Sequence, residues 1–337
     1  MKALVLKEYN RFAYEDVKDP EPGPGEVLVE VKACGICGSD VHGMDGSTGR
    51  RIPPVIMGHE AAGVVVEGGA AGGRVTFDST IYCGECAYCR RGRVNLCKNR
   101  RVLGVSCEEY RCDGAFAEFV AVPERIVYPL PEGLGFEQAA MTEPVSVAFH
   151  AVQRVPVALD DTALVVGAGV IGLLVVQVLR AAGCGRVIAV DVDDGRLEVA
   201  CTLGADQGFN PRTGDAAAEI AAATGGRGVD VAFEAVGVAE TVALAVNAVR
   251  KGGCVGLIGN VSPEARLPLQ AAVTRELSMF GSCASSGEYP ACLDLLARGV
   301  VDVGPLLSAV APLEEGAAWF ERLHAGEGGL LKVVLTP

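Results

Sequence analysis

Hydrophobic positions along the chain follow two rhythms. Up to about residue 145, apolar residues alternate with polar ones in short stretches, as at 2–6, 26–31 and 116–122, and Gly- and Pro-rich segments separate them. Period-two alternation punctuated by turn residues predicts a small, irregular β domain. From about Asp161 the texture changes, and the apolar runs ALVV, RVIAVD, QGFN, VDVAFEAVG, CVGLIG and LSMFGS are spaced by segments of helical character. Six strands with helices between them predict a doubly wound, six-stranded parallel sheet. After about Ser285 the pattern turns helical at 289–298 and 313–324 and closes on a strand, LLKVVL, expected to return to the first domain. The predicted organisation is a β-rich domain over 1–145, an α/β domain over 146–284, and a return over 285–337.

Composition narrows the class. The chain has 337 residues, of which 50% are apolar and 21% charged, enough to bury two cores and too apolar for a disordered chain. Lys and Arg number 29 against 42 Asp and Glu, a formal charge of −13 with the basic residues scattered, so neither nucleic acid nor an anionic membrane is an expected partner. The longest uncharged apolar stretch, 162–179, carries three glycines near its start and reads as strand, turn and helix rather than a membrane span. Met1 leads straight into KALVLKEY without an apolar leader, which gives a cytoplasmic expectation. Thirteen cysteines, an odd number in so large a chain, point to metal ligation more than to a disulfide scaffold.

The strand at 163–166 runs into Gly167-Ala-Gly169-Val170-Ile171-Gly172 and then an apolar helix, the setting in which a GxGxxG turn binds a dinucleotide. Gly167 permits the tight turn, Gly169 lets a pyrophosphate approach the backbone and Gly172 lets helix pack on strand. Phosphates would lie at the helix N-terminus, where free N–H groups and the helix dipole favour anions. The next strand ends at Asp191, nineteen residues after Gly172, where a carboxylate can accept from the ribose hydroxyls and repel a 2′-phosphate. NAD is expected over NADP, with Arg196 close by as the residue that weakens the preference. Gly237, Gly259 and Asn260, at later strand ends, are expected beside the nicotinamide.

Cys83, Cys86, Cys89 and Cys97 form C-x2-C-x2-C-x7-C in a loop almost without apolar residues. Four thiolates so spaced can close a tetrahedron on one zinc with no open position, a structural site whose metal supplies the ordering energy. An iron–sulfur cluster competes, although the usual ferredoxin run places its fourth cysteine three residues on and follows it with Pro. A second group, Cys37-Gly-Ser39-Asp40-Val-His42, Gly58-His59-Glu60 and Glu143-Pro144, is weak taken singly, because lone Cys, His and Glu residues usually pack or solvate.

Together these motifs carry a resemblance. CGICGSDVH, GHEAAGVV, the four-cysteine lobe, EPVSVAFHA and GAGVIG make the sequence similar to the zinc-dependent medium-chain alcohol dehydrogenases over essentially its whole length. The resemblance implies an α/β protein with a GroES-like catalytic domain in two sequence segments flanking a Rossmann domain, and two zinc ions per chain. It implies Cys37 and His59 as ligands of a catalytic zinc. Glu143 stands where dehydrogenases of simple alcohols carry a second cysteine, and Glu143-Pro144 resembles the sorbitol, sugar-alcohol and threonine dehydrogenase branch, in which Glu60 also lies at or near the metal. The expected set is Cys37, His59 and Glu60, with Glu143 direct or through water. Ser39 would accept the proton of the alcohol, His42 would pass it to solvent, and Asp40 would orient His59. Lys332 resembles a position that reaches the pyrophosphate.

The implied reaction is hydride transfer from a secondary hydroxyl of a polyol or sugar alcohol to NAD, giving a ketone, in a homodimer or homotetramer. A threonine 3-dehydrogenase or butanediol dehydrogenase is the nearest alternative, and a non-catalytic NAD- and zinc-binding scaffold is the alternative of another class. A zinc-free quinone reductase needs neither the lobe nor Cys37 with His59. Cys34 with Cys37 makes a C-x-x-C pair that zinc at Cys37 would prevent from cycling. Cysteines 107, 112, 184, 201, 254, 283 and 292 lack ligand spacing and are expected to pack as small hydrophobes. Substrate walls are expected from the loops 44–51 and 106–111 and from Phe116, and Arg275 is either a contact for a substrate hydroxyl or phosphate or an ordinary surface arginine.

Overall fold

The computed structural model describes residues 1–69, 71–107 and 111–337, so residues 108–110 of the loop expected to wall the substrate lie outside the described residues. The chain divides into two compact units: Met1–Glu143 with Ser285–Gly299 and Val303–Pro337, and Pro144–Ala284 with Val300–Asp302. Among the described residues, no helix is long and apolar enough to cross a membrane.

The first unit is built on the strand Glu26–Gly35, whose buried positions alternate from Val27 to Ala33 and then become continuous at Cys34 and Gly35. Alternation gives a sheet with one face on the core; its loss at the strand end marks backbone enclosed on both sides. That strand pairs with Glu60–Glu67, Phe119–Pro123 and the C-terminal Lys332–Thr336, all antiparallel. Arg74–Phe77 and Val127–Pro129 extend the same sheet on one side and Leu307–Pro312 on the other. A separate sheet joins Lys2–Glu8 to Arg11–Asp16 and Val55–Ile56. Between them lies a core of Leu4, Leu6, Met57, Phe77, Leu103, Phe116 and Phe320. Phe320, from the helix Gly316–His324, stands edge-on to Phe116 with ring centroids 5.7 Å apart, which fastens the C-terminal segment to the β core.

The second unit carries the six-stranded parallel sheet. Its strands, Thr162–Val166, Arg186–Val190, Gln207–Phe209, Val229–Glu234, Val249–Leu257 and Ser278–Gly281, are ordered third, second, first, fourth, fifth, sixth. All six residues of Val229–Glu234 are buried, as a central parallel strand covered on both faces requires. The helix Val170–Ala181 buries Leu173, Leu174, Val175, Val176, Val178 and Leu179. The α/β class with a β-rich GroES-like part and a doubly wound sheet is thus observed.

Candidate active site

Within the first unit, strand pairing delivers the metal-type residues. Glu26–Gly35 ends just before Cys37, which caps the short helix Gly38–Val41, and the register sets Gly35 opposite Glu60. Gly58, at φ +95°, turns the chain into His59, and a Cβ there would meet Cys34 Sγ and the Phe116 ring at 2.9 Å. Only glycine fits both the left-handed backbone and the space. Ligand atoms of Cys37, His59 and Glu60 consequently lie within 4.8 Å of one another. A thiolate, an imidazole and a carboxylate gathered so closely suit a borderline-soft divalent ion such as zinc.

The surroundings are charged and dry. Asp40 is fully buried, and its Oδ2 lies 3.4 Å from Nδ1 of His59, an ion-pair separation rather than a well-formed hydrogen bond. That contact turns Nε2 of His59 away from Asp40 and leaves it for a metal. Arg51, 3% exposed, grips Oδ1 of Asp40 through Nη2 at 2.8 Å and Nε at 3.2 Å, and also donates to Ser39 Oγ at 3.3 Å. Burial works to raise the Asp40 pKa, but His59 and Arg51 hold the carboxyl well below the usual carboxylate range. Ser39 and His42 are both exposed in this unit. Glu143 accepts from Ser79 Oγ at 3.2 Å and stands outside the three-residue cluster; burial pushes its carboxyl up to about 7.

Lys332, expected to reach the pyrophosphate, has its ammonium engaged within the first unit. Its Nζ lies 2.8 and 2.7 Å from the two oxygens of Glu60 and 2.9 Å from the carbonyl of Ile36, and it is 2% exposed. An ammonium has three donors, and three acceptors of the chain take them. Arg275 is likewise committed elsewhere: its guanidinium donates to the carbonyls of Val246, Asn247, Val249 and Ala271, closing the end of the helix Ala239–Ala248. Among the cysteines expected to pack as small hydrophobes, Cys184 and Cys292 are buried but Cys201 and Cys283 are exposed, because their positions face solvent.

The four-cysteine lobe has a different construction. Sulfur separations are 3.5 Å for Cys86 to Cys89, 3.5 Å for Cys97 to Cys83 and 4.0 Å for Cys83 to Cys89. A regular tetrahedron with zinc–sulfur bonds of about 2.3 Å sets sulfurs ~3.8 Å apart, whereas a disulfide needs about 2.0 Å. Backbone N–H groups of Cys83, Cys86 and Asn99 point at these sulfurs at 3.3–3.4 Å. The backbone N–H groups of Cys89 and Lys98 hold the Cys86 thiol down to about 6, the direction that readies it as a ligand. Ser286 ties the lobe to the later segment of the unit by accepting from Val94 N at 3.1 Å and donating to the Gly92 carbonyl at 2.8 Å.

In the second unit, the glycine turn is sterically exclusive. A Cβ on Gly172 would lie 1.7 Å from the Gly167 carbonyl, while Gly169 faces open space. The helix begins at Val170, with Ile171 in its first turn. Asp191 accepts from Ala168 N at 2.6 Å, so the acid at the strand end also fixes the turn, and Arg196 is half-buried nearby in sequence. Gly237, Gly259 and Asn260 are packed together: a Cβ on Gly237 would lie 2.4 Å from Asn260 N. Glu234, which no sequence motif singles out, organises them. Its Oε1 accepts from the N–H of Val236 and Gly237, and its carbonyl from those of Ile258 and Gly259. Arg51, Ser79 and Glu234 share no local motif; only their burial in the folded chain marks them.

The descriptions alcohol dehydrogenase GroES-like domain and zinc-binding dehydrogenase match residues 23–132 and 170–298. A sorbitol dehydrogenase of Bacillus subtilis (strain 168) is 34% identical, covering 100% of this chain and 97% of that protein. The chain belongs to the zinc-dependent medium-chain dehydrogenase/reductase family, with the polyol dehydrogenases. An L-idonate 5-dehydrogenase of Vitis vinifera is 38% identical over 86% of this chain and 81% of that protein. The crystal structure of a zinc-binding dehydrogenase of Sinorhizobium meliloti 1021 bound to NADP superposes with a TM-score of 0.92, at 35% identity over 100% of this chain and 99% of that one. For a zinc-dependent dehydrogenase, the cluster at Cys37 and the four-cysteine lobe are the two places where the chain gathers metal-type ligands among the described residues.

Proposed function

We propose that this zinc-type dehydrogenase oxidises a secondary hydroxyl of a polyol or sugar alcohol with NAD as hydride acceptor, and that it holds one catalytic and one structural zinc. The observation that carries the reading is the convergence of Cys37, His59 and Glu60, one thiol with one imidazole and one carboxylate, with the buried Glu143 near enough to feel the charges of His59 and Glu60. Zinc held there supplies Lewis acidity that lowers the pKa of a substrate alcohol, and the nicotinamide supplies the hydride acceptor.

The chain's own residues then have defined tasks. Asp40, itself held by Arg51, keeps the His59 ring oriented. Ser39 Oγ accepts from Arg51, which leaves a lone pair to receive the alcohol proton and a hydroxyl hydrogen to hand on. His42, exposed at the end of the same short helix, is the exit to solvent. In the other unit, Gly167, Gly169, Val170, Ile171 and Gly172 cradle the pyrophosphate, and Asp191 meets the adenosine ribose, which favours NAD. Gly237, Gly259 and Asn260 form the turn cluster for the nicotinamide end. The assembly expected is a homodimer or homotetramer.

The test is a panel of polyols, diols, threonine and simple alcohols with NAD and with NADP, read as reduced-nicotinamide absorbance, together with metal content. Turnover on polyols with NAD and two zinc ions per chain supports the reading. Silence across the panel, or zinc in the lobe alone, overturns it in favour of a scaffold.

A further inference from the structure

Arg51 ends the loop expected to wall the substrate, and it is held firmly with one donor unspent. Its backbone is fixed on both sides by the buried Ser106, whose N–H donates to the Arg50 carbonyl at 3.1 Å and whose hydroxyl bridges the N–H and carbonyl of Ile52 at 2.5 and 2.9 Å. Its stem crosses Gly43, where a Cβ would stand 2.5 Å from Arg51 Cγ and 2.9 Å from the Ser39 carbonyl, so a residue without a side chain makes room. A guanidinium presents two forks in one plane, a lateral one from Nε and Nη2 and a terminal one from Nη2 and Nη1. Asp40 Oδ1 takes the lateral fork at 3.2 and 2.8 Å. The second hydrogen of Nη2, which points in the terminal direction, goes to Ser39 Oγ at 3.3 Å. Nη1 carries a hydrogen parallel to that one; it has no acceptor among the described residues and is not sealed from solvent.

We propose that Arg51 is a specificity-determining residue whose Nη1 donates to a hydroxyl on the carbon next to the reacting carbinol, so that the site selects vicinal diols over isolated alcohols. The inference rests on the reading of Ser39 as the acceptor of the substrate proton, and it names the feature of a polyol that this site reads. An alcohol hydrogen-bonded to Ser39 Oγ sets a gauche neighbouring hydroxyl beside that oxygen, on the open half of the terminal fork. The fitting acceptor is a neutral hydroxyl rather than an anion, because Asp40 already balances the guanidinium charge at 2.8 Å. Asp40, Ser106 and Gly43 fix the guanidinium beforehand, so little side-chain freedom is lost when the hydroxyl arrives. A hydrogen bond from a charged donor then favours the diol by about 10- to 100-fold.

The experiment compares full-length wild type, Arg51→Lys and Gly43→Ala on xylitol, butane-2,3-diol, butane-1,3-diol and butan-2-ol, with zinc content and thermal midpoint measured for each protein. An alcohol that is not turned over is measured as a competitive inhibitor against xylitol. Wild type is expected to favour butane-2,3-diol over butan-2-ol by about 10- to 100-fold, and by a similar factor over butane-1,3-diol, whose second hydroxyl lies one carbon too far. Arg51→Lys keeps a cation for Asp40 but lacks the terminal fork, and is expected to bring both ratios below about threefold. Gly43→Ala displaces the stem while keeping every charge; it is expected to lower the ratios in the same sense, and it decides if Arg51→Lys does not fold. A merely structural loss depresses all four alcohols together and leaves the ratios unchanged. A second readout needs no turnover: with NADH bound, the Arg51 side-chain N–H signals of arginine-labelled protein are expected to shift on adding xylitol and not on adding butan-2-ol. Ratios near one in wild type, or ratios preserved in the variants, overturn the inference. Silence of wild type on all four alcohols with NAD and with NADP overturns the proposed function itself.

Discussion

The two sulfur-bearing clusters of the first unit solve different problems. In the lobe, ligands fall within fifteen residues, sulfur faces sulfur, and the stabilising contacts are backbone N–H groups of the same loop. Around Cys37, itself half-buried, the partners come from positions 40, 51, 59, 60 and 332, and they are ionisable side chains sealed from water. A closed set of four like ligands saturates a metal and does nothing further. A mixed set of three, with the charges of Asp40, Arg51, Glu143 and Lys332 around it, is one ligand short of the four that close a structural zinc site, which is what a reaction at a metal needs.

The contrast can be broken most forcefully at the lobe. Cys97→Ser should remove metal whose binding contributes on the order of 10 kcal/mol of ordering, read as new proteolytic cuts within 83–97 and a lower melting temperature. Turnover per folded molecule should persist. Cys37→Ser should do the reverse, giving a folded chain with kcat reduced by about a thousandfold or more, equivalent to the several kcal/mol that metal catalysis supplies. If the two phenotypes are exchanged, the assignment of the sites is exchanged too. A smaller effect is expected at Arg51→Met, which leaves Asp40 buried without its cation: a loss of about 3 kcal/mol of stability and about 10- to 100-fold in zinc affinity at His59. Arg91→Met in the lobe, whose side chain is exposed, should change stability by less than about 0.5 kcal/mol. Outside both clusters, Asp191→Ala should lower the ratio of kcat/KM for NAD over NADP by about tenfold, measured in a matched cofactor assay. An unchanged ratio would leave the ribose contact without support.

Much of this was legible in the residues. The six apolar runs anticipated the parallel sheet because buried parallel strands need no polar face, and C-x2-C-x2-C-x7-C announced the lobe because all its ligands are neighbours in the chain. Cys37 and His59 were legible through the resemblance rather than through spacing. The Glu60 contact of Lys332 was not legible: its position in LLKVVL shows a strand but not that the strand lies beside Glu60. Arg275 was left open between a substrate contact and an ordinary arginine, and folding decided for the second, since a basic residue near a strand end can serve a ligand or cap a neighbouring helix.

Amino-acid order alone set the alternation of strands and helices, the glycine turn at 167–172 and the thiol lobe, because each depends on residues within a short reach of chain. Folding decided which buried charges meet: Asp40 with Arg51 and His59, and Glu60 with Lys332 across 272 positions. Burial makes those pairings obligatory, since an ion without a partner in a dry interior costs several kcal/mol, and no local pattern in the sequence records which partner the fold will bring.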